Sequence, residues 1–332
     1  MKQTDVIQQF YFQDIPVRGA LVKLGNSYIE ALNGHRYPAV VNALLGQCLA
    51  AGTLMNANLK TAARLTLQAR GNGPLSLLMA EALLLQTSHD KNSNATIDDT
   101  AQQSIRACAR INEQTFSQHF ADSPQDSGSS PSAHHSTMPN LQQLLGEAQL
   151  ALTIEASKKE RYQSIVAINS DTLAGCLEGY FLQSEQLPTF IKLATSNSVA
   201  AGLLLQQMPE PLDPRSHHAA DNPFENDWQE LTVLSRSLRD NELLELPTET
   251  VLNRLFHQHN CRSSPAQAIV FSCSCSEQRS AAALLQIDPR ELQDILNREN
   301  EIVFDCQFCS ARYRFSQQHI DQLLTQNPAT RH

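Results

Sequence analysis

The sequence predicts an α+β chain of three parts: an N-terminal core domain of mixed helix and sheet over residues 1–208, a helical linker over residues 209–268, and a small cysteine-bearing C-terminal domain over residues 269–332. Three observations predict it. Period-two apolar alternation recurs between residues 20 and 169, next to a longer stretch with helical spacing. Pro209, Pro211, Pro214 and Pro223 then break the chain into a punctuated connector. Beyond residue 269, four of the eight cysteines fall in two close pairs. At 332 residues the chain is long enough for one large domain and a smaller one.

Residues 20–24 (ALVKL) and 62–68 (AARLTLQ) alternate like strands, and the second leads into Gly71-Asn72-Gly73-Pro74, a strong turn signal. Residues 37–59 carry no charge and invite a test as a membrane span. Asn42, Gln47, Asn56 and Asn58 interrupt them, whereas Val41, Leu44, Leu45, Cys48, Leu49 and Met55 recur as one stripe of a core helix. Residues 149–155 put Leu150, Leu152 and Ile154 on one face, and residues 162–169 follow the charged turn Lys158-Lys159-Glu160-Arg161, so a hairpin is expected. Residues 172–184 read as a helix with Leu173, Leu177, Tyr180 and Phe181 on one side. Arg18 and Gly19 read as shaping a turn of the core.

Residues 88–100 and 122–140 are rich in Ser, Asn, Asp and Pro, too polar to offset their ordering entropy by burial, and read as mobile insertions. His134 and His135 lie in the second and read as low-complexity loop rather than metal ligands. In the linker, Trp228, Leu231, Leu234 and Leu238 form one apolar stripe, and Val251, Leu252, Leu255 and Phe256 form another after Pro247. Residues 210–272 carry ten acids against five bases, a net of −5. Helices this short are marginal without tertiary packing.

The C-terminal domain pairs Cys273-x-Cys275 with Cys306-x-x-Cys309 across thirty residues. Each pair can present two sulfurs from one tight turn, and two pairs complete the tetrahedral four-sulfur shell that Zn²⁺ favours, so this is read as a zinc-binding domain. Between the pairs, Asp288-Pro289-Arg290-Glu291 reads as an N-cap, a proline at the first helical position and a capping-box carboxylate, with Leu292, Ile295 and Leu296 facing inward. Residues 302–304 and 313–315 read as short strands around the second pair. Four thiolates close the coordination shell, which disfavours a catalytic metal. They are also open to oxidation, and forming two disulfides would expel the ion.

Charge narrows the function. With 25 Lys and Arg against 34 Asp and Glu the chain is −9, with a pI near 5.6, and residues 273–332 hold six Arg and no Lys against eight acids. Nucleic acid and anionic membranes are therefore disfavoured partners. The start, MKQTDVIQQF, does not read as a secretory signal, so a cytoplasmic location is expected, where cysteines serve metals and redox chemistry more often than structural disulfides. No phosphate-binding G-x-x-x-x-G-K-[ST] loop occurs, so no nucleotide is expected. Cys48, Cys108 and Cys176 read as small core hydrophobes, and Cys261 lies next to the metal-binding segment.

These cysteine pairs and their spacing resemble those of the redox-regulated heat-shock protein 33 chaperones, the 33-kDa chaperonin family. Further landmarks carry the resemblance: Asp14-Ile15-Pro16-Val17-Arg18-Gly19, Gly71-Asn72-Gly73-Pro74, Glu160-Arg161-Tyr162-Gln163, the run from Leu173 to Phe181, Ser184-Glu185-Gln186-Leu187-Pro188, and the run from Leu203 to Pro209. The resemblance implies a non-enzymatic, ATP-independent holdase of the cytoplasm, inactive while reduced, with one zinc per chain on Cys273, Cys275, Cys306 and Cys309. It implies that oxidation forms Cys273–Cys275 and Cys306–Cys309 disulfides, releases zinc and unfolds the linker. The protein would then bind unfolding client proteins and form a homodimer. The two polar insertions exceed the usual family pattern. A constitutive zinc-ribbon scaffold and a thiol oxidoreductase are the competing readings; the second is weaker because Cys306-Gln307-Phe308-Cys309 does not sit at a strand-to-helix junction of a βαβ unit.

Overall fold

The computed structural model describes residues 5–59, 63–85, 102–120, 139–156, 161–209 and 225–326. Contacts group the chain into two compact units, Met1–Ala31 with Tyr37–Phe271, and Leu32–Arg36 with Ser272–His332. The expected insertion at 88–100, most of that at 122–140 with His134 and His135, the turn at 158–160 and the proline-punctuated stretch at 210–223 lie outside the described residues. Asn140, at the edge of the second insertion, is ordered as a helix cap: its side chain accepts the Gln143 N–H while Gln143 returns a bond to its backbone.

In chain order the first unit runs β1 (Val6–Phe12), β2 (Val17–Leu24), α1 (Asn26–Leu32), α2 (Ala39–Ala57), β3 (Ala63–Gly71), β4 (Leu75–Leu85), β5 (Gln102–Ile111), α3 (Glu113–Phe120), α4 (Leu141–Leu145), β6 (Ala148–Ala156), β7 (Arg161–Ala167) and α5 (Leu173–Tyr180). A π turn (Phe181–Glu185) follows, then β8 (Thr189–Thr195), β9 (Ala200–Gln207), α6 (Glu225–Ser237), α7 (Asp240–Glu245), α8 (Thr248–Phe256), β10 (Cys261–Ser263) and β11 (Gln267–Phe271). The helix expected over 172–184 is therefore α5 followed by a π turn, closed by Gln186 in the left-handed region.

Eleven strands make one sheet in the order β7-β6-β3-β4-β5-β11-β1-β2-β9-β8, with β10 also on β1. The β3–β4 turn at Gly71-Asn72-Gly73-Pro74 and the β6–β7 hairpin fall where the alternation places them. Strands β5 and β11 pair in parallel; the other pairs are antiparallel. Helix α2 is long and apolar enough to cross a membrane by length and composition, but 72% of its apolar window is buried in this unit. It is a core helix, in keeping with its stripe.

Arg18 and Gly19 do not shape a turn; both lie within β2, whose register with β1 and β9 is continuous through them. A Cβ on Gly19 would stand 2.2 Å from the Phe10 ring and 2.8 Å from the Leu204 carbonyl oxygen, so glycine makes room for an aromatic ring on the neighbouring strand. Arg18 donates through Nε and Nη2 to Gln206 Oε1 at 3.2 and 2.7 Å, and Gln206 donates on to Thr189, which ties β2, β9 and β8 together.

The two apolar stripes of the linker segment fold as α6 and α8, with the unforeseen α7 between them. They pack on one face of the sheet, where Leu231, Leu238, Leu243, Val251, Leu255 and Phe256 join a buried cluster with Phe10, Phe12, Val17, Leu21, Leu203 and Leu205. Along β9 the neighbours alternate: Ala201 and Leu203 face this cluster, while Gly202 is closely approached by Leu54 of α2. Strand β9 is thus covered on both faces.

The second unit holds α9 (Glu277–Leu284), α10 (Pro289–Glu299), β12 (Glu301–Asp305), β13 (Arg312–Ser316) and α11 (Gln317–Gln326). Asp288 caps α10 as expected, its carboxylate accepting the Arg290 N–H at 2.8 Å, but the bond goes to the second helical residue and the capping box expected with Glu291 is not formed; Asn300 ends the helix in the left-handed region. Residues 302–304 and 313–315 lie in β12 and β13, which pair antiparallel. Ala281, Leu284, Leu292, Leu296, Ile302, Phe315 and Ile320 make its small apolar core.

Candidate metal centre

The site is built from two turns. In the first, Cys273 and Cys275 lie on the short segment between β11 and α9, closed by Ser276, whose hydroxyl accepts the Arg279 N–H to cap α9. Arg279 also reaches back to the Ser274 carbonyl at 2.6 Å, which holds the C-x-C segment curled. In the second, Cys306 and Cys309 occupy the tip of the β12–β13 hairpin. The Ser310 N–H donates to the Cys306 carbonyl and the Cys306 N–H to the Ala311 carbonyl, each at 2.9 Å, with Ser310 left-handed at φ 56°. Below the tip, Arg312 grips Asp305 with two bonds of 2.7 and 3.0 Å across the last paired position of the ladder.

These turns bring all four sulfurs within 4.8 Å of one another. Two close contacts join the pairs to each other: Cys273 Sγ to Cys306 Sγ is 3.6 Å and Cys275 Sγ to Cys309 Sγ is 3.3 Å. Sulfurs about 2.3 Å from a central Zn²⁺ stand about 3.8 Å apart in a tetrahedron, so the spacing fits a four-coordinate ion and is far from a disulfide length. Four close cysteines of this kind can hold a metal ion, and soft thiolates suit zinc.

The electrostatics favour anionic sulfur at one corner. Burial opposes ionisation of Cys275, but bonds from Tyr313 and from the other three thiols outweigh it and hold this thiol down at about 7. The Tyr313 hydroxyl donates to Cys275 Sγ at 3.2 Å, and that bond is the main reason its own phenol is pushed up to about 12. Burial, together with bonds from neighbouring sulfurs, pushes Cys273 and Cys309 up. Sequence reasoning missed Tyr313 as part of the site, because it stands 38 residues from the sulfur it contacts and reads as an ordinary strand aromatic.

Tyr313→Phe is expected to keep the fold, since it removes one hydroxyl, and to weaken zinc binding about tenfold, as partners of metal ligands commonly do. Competition with a chromophoric chelator measures this. Unchanged affinity would assign the tyrosine to packing alone.

The other four cysteines are not members of this cluster. Cys48, Cys108 and Cys176 are buried and Cys261 is half-buried. Burial pushes Cys48 and Cys176 up and raises Cys261 to about 11, so they are poor thiolates.

A family model described as "Hsp33 protein" matches residues 5–316. The chain is 38% identical over 323 residues to a 33 kDa chaperonin of Hahella chejuensis, covering 97% of this chain and 98% of that one. It is also 38% identical over 340 residues to a 33 kDa chaperonin of Pseudomonas aeruginosa, covering all of both chains. Among solved structures, the 33 kDa chaperonin of Thermotoga maritima superposes with a TM-score of 0.72 at 21% identity, covering 98% of this chain and 99% of that one, a likeness of fold.

Proposed function

The chain belongs to the Hsp33 family and is a chaperone rather than an enzyme, and we propose that it is an ATP-independent holdase switched on by oxidation of a zinc-thiolate centre. The observation that carries this reading is the four-sulfur cluster whose close contacts join Cys273 to Cys306 and Cys275 to Cys309. While reduced, the four thiolates share one zinc ion, which acts as the cross-link between two turns that no covalent bond connects. That linkage contributes folding free energy to a unit whose apolar core is small.

Two equivalents of hydrogen peroxide complete the switch. Each accepts two electrons and two protons and becomes two molecules of water, while two thiolates become one disulfide. With Cys273–Cys275 and Cys306–Cys309 as the products, all four anionic charges are lost and each bond closes inside its own turn, so the turns keep only the small apolar core between them.

The segment just before the first pair supports the rest of the reading. Helices α6, α7 and α8 are 13, 6 and 9 residues long and depend on docking against the sheet. Their release uncovers Phe10, Phe12, Val17, Leu21, Leu203 and Leu205, a contiguous apolar face suited to unfolding client proteins. In this reading residues 1–208 are the core, 209–268 the releasable linker and 269–332 the sensor; the protein acts in the cytoplasm, forms a homodimer when oxidised, and needs no nucleotide.

Peroxide at raised temperature, or hypochlorite, is expected to release about one zinc per chain and to produce a protein that suppresses aggregation of a thermally unfolding client. Mass mapping of the same time course is expected to show Cys306–Cys309 before Cys273–Cys275, since a C-x-x-C disulfide closes with less strain than a C-x-C one. Retained zinc without any gain in protection would sink the reading. Redox-independent, salt-sensitive binding would favour a constitutive scaffold instead.

A further inference from the structure

Apolar packing holds α6–α8 on the sheet but is non-directional; two buried polar side chains supply the direction. Gln8 on β1 and Lys23 on β2 project from the same face as Phe10 and Leu21, because Val6 pairs with Lys23 and Gln8 with Leu21 across the strands. They are 3% and 4% exposed, an unusual setting for an amide and an ammonium on a face otherwise lined by aromatic and aliphatic groups.

Both engage one turn of the linker segment. The Lys23 ammonium donates to the carbonyl of Leu246, the C-terminal cap of α7. The Thr248 hydroxyl, at the start of α8, donates to Gln8 Oε1 at 2.7 Å. Only Pro247 separates the two anchored residues. Beside them a cavity of about 530 Å³ opens, lined by Lys23 and Gln8 and by Glu245 and Glu249 of the linker segment. A cation at a helix C-terminus opposes the negative end of the helix dipole, and nearby carboxylates add to that field.

We propose that Lys23 and Gln8 form a latch that clamps the α7–α8 turn to the sheet and keeps the apolar face covered in the reduced protein. The proposal rests on the reading of α6–α8 as a releasable cover. Docking carries Lys23 out of water, and the Leu246 carbonyl is one acceptor that offsets this cost; once the turn lifts, that acceptor is lost and the ammonium regains hydration, which favours full release. The latch therefore makes release cooperative where apolar contacts alone would let the helices slide.

The test uses the full-length, reduced, zinc-loaded protein and two variants, Lys23→Met, which fills the same space without the donor, and Thr248→Val, which removes the hydroxyl at equal volume. Two readouts follow the cover directly: the emission of Trp228, the single tryptophan, half-buried against the cluster on α6, and the rate of tryptic cleavage at Arg236, Arg239 and Arg254. Each variant is expected to raise that cleavage rate about tenfold and to shift Trp228 emission to the red, with zinc content unchanged. The double variant should gain less than the product of the two, since both act on one turn. Val233→Ser, on an α6 side chain that is 64% exposed, should match the parent. Cleavage within twofold of the parent in both variants, or loss of zinc and of sheet protection along with it, overturns the latch. Faster cleavage without suppression of client aggregation keeps the latch and overturns the function proposed for the uncovered face.

Discussion

Replacing Cys306 by Ser is expected to abolish stoichiometric zinc binding and to unfold residues 272–326. Cys306 is the buried member of the four and sits 3.6 Å from Cys273, so the substitution removes one ligand and leaves the others unable to close a tetrahedron. Structural zinc supplies on the order of 10–16 kcal/mol of apparent folding free energy in small modules, far more than the small core around Leu292, Leu296, Ile302 and Phe315 can replace. Hydrogen exchange read by mass spectrometry checks it: peptides from α10, β12 and β13 should lose protection while β3, β4 and β6 keep theirs. Chelator treatment of the parent should reproduce the pattern. Full protection in the Ser variant, or one zinc per chain still bound, would show that this unit folds without its metal.

The second large effect is expected at Phe256. It is 1% exposed and anchors α8 through rings on two positions of β1, with centroids 5.7 Å from Phe10 and 5.2 Å from Phe12. Truncation to Ala costs about 3–5 kcal/mol in such a site. The strand partners have many other contacts, whereas α8 has nine residues and few of its own, so the loss falls on docking of the linker segment. Phe256→Ala is expected to expose the tryptic sites of α6–α8 and to suppress client aggregation while still reduced and zinc-loaded. Protection of these helices equal to that of the parent would contradict it. A single cooperative collapse that included β1–β9 would show that the cover and the sheet are one folding unit.

The cysteine pairs, the Asp288 cap and the stripes of α6 and α8 were legible because each is encoded within a few residues: ligand spacing, cap chemistry and a period of 3.6 are local properties. Strand β4, LSLLMAEALLL, was not. Its residues are mostly good helix formers, and it is extended because β3 and β5 hydrogen-bond to it on both sides. Strand β9, AAGLLLQQ, shows no alternation because α2 covers one face and α6–α8 the other. Helix α7, six residues long, is too short to carry a period. Gly19 looked like turn chemistry and proved to be space for the Phe10 ring.

From sequence came the identity of the four sulfurs, the division into a mixed core and a cysteine-bearing domain, and the amphipathic stripes that must dock somewhere. Tertiary structure decided where they dock, which strands lie side by side, that Tyr313 bonds to Cys275, and that Lys23 and Gln8 meet the α7–α8 turn. Those contacts join residues from 38 to more than 200 positions apart. Local periodicity sets which face of an element is apolar but not its partner, because the partner is selected by closing long loops against the area that the closure buries.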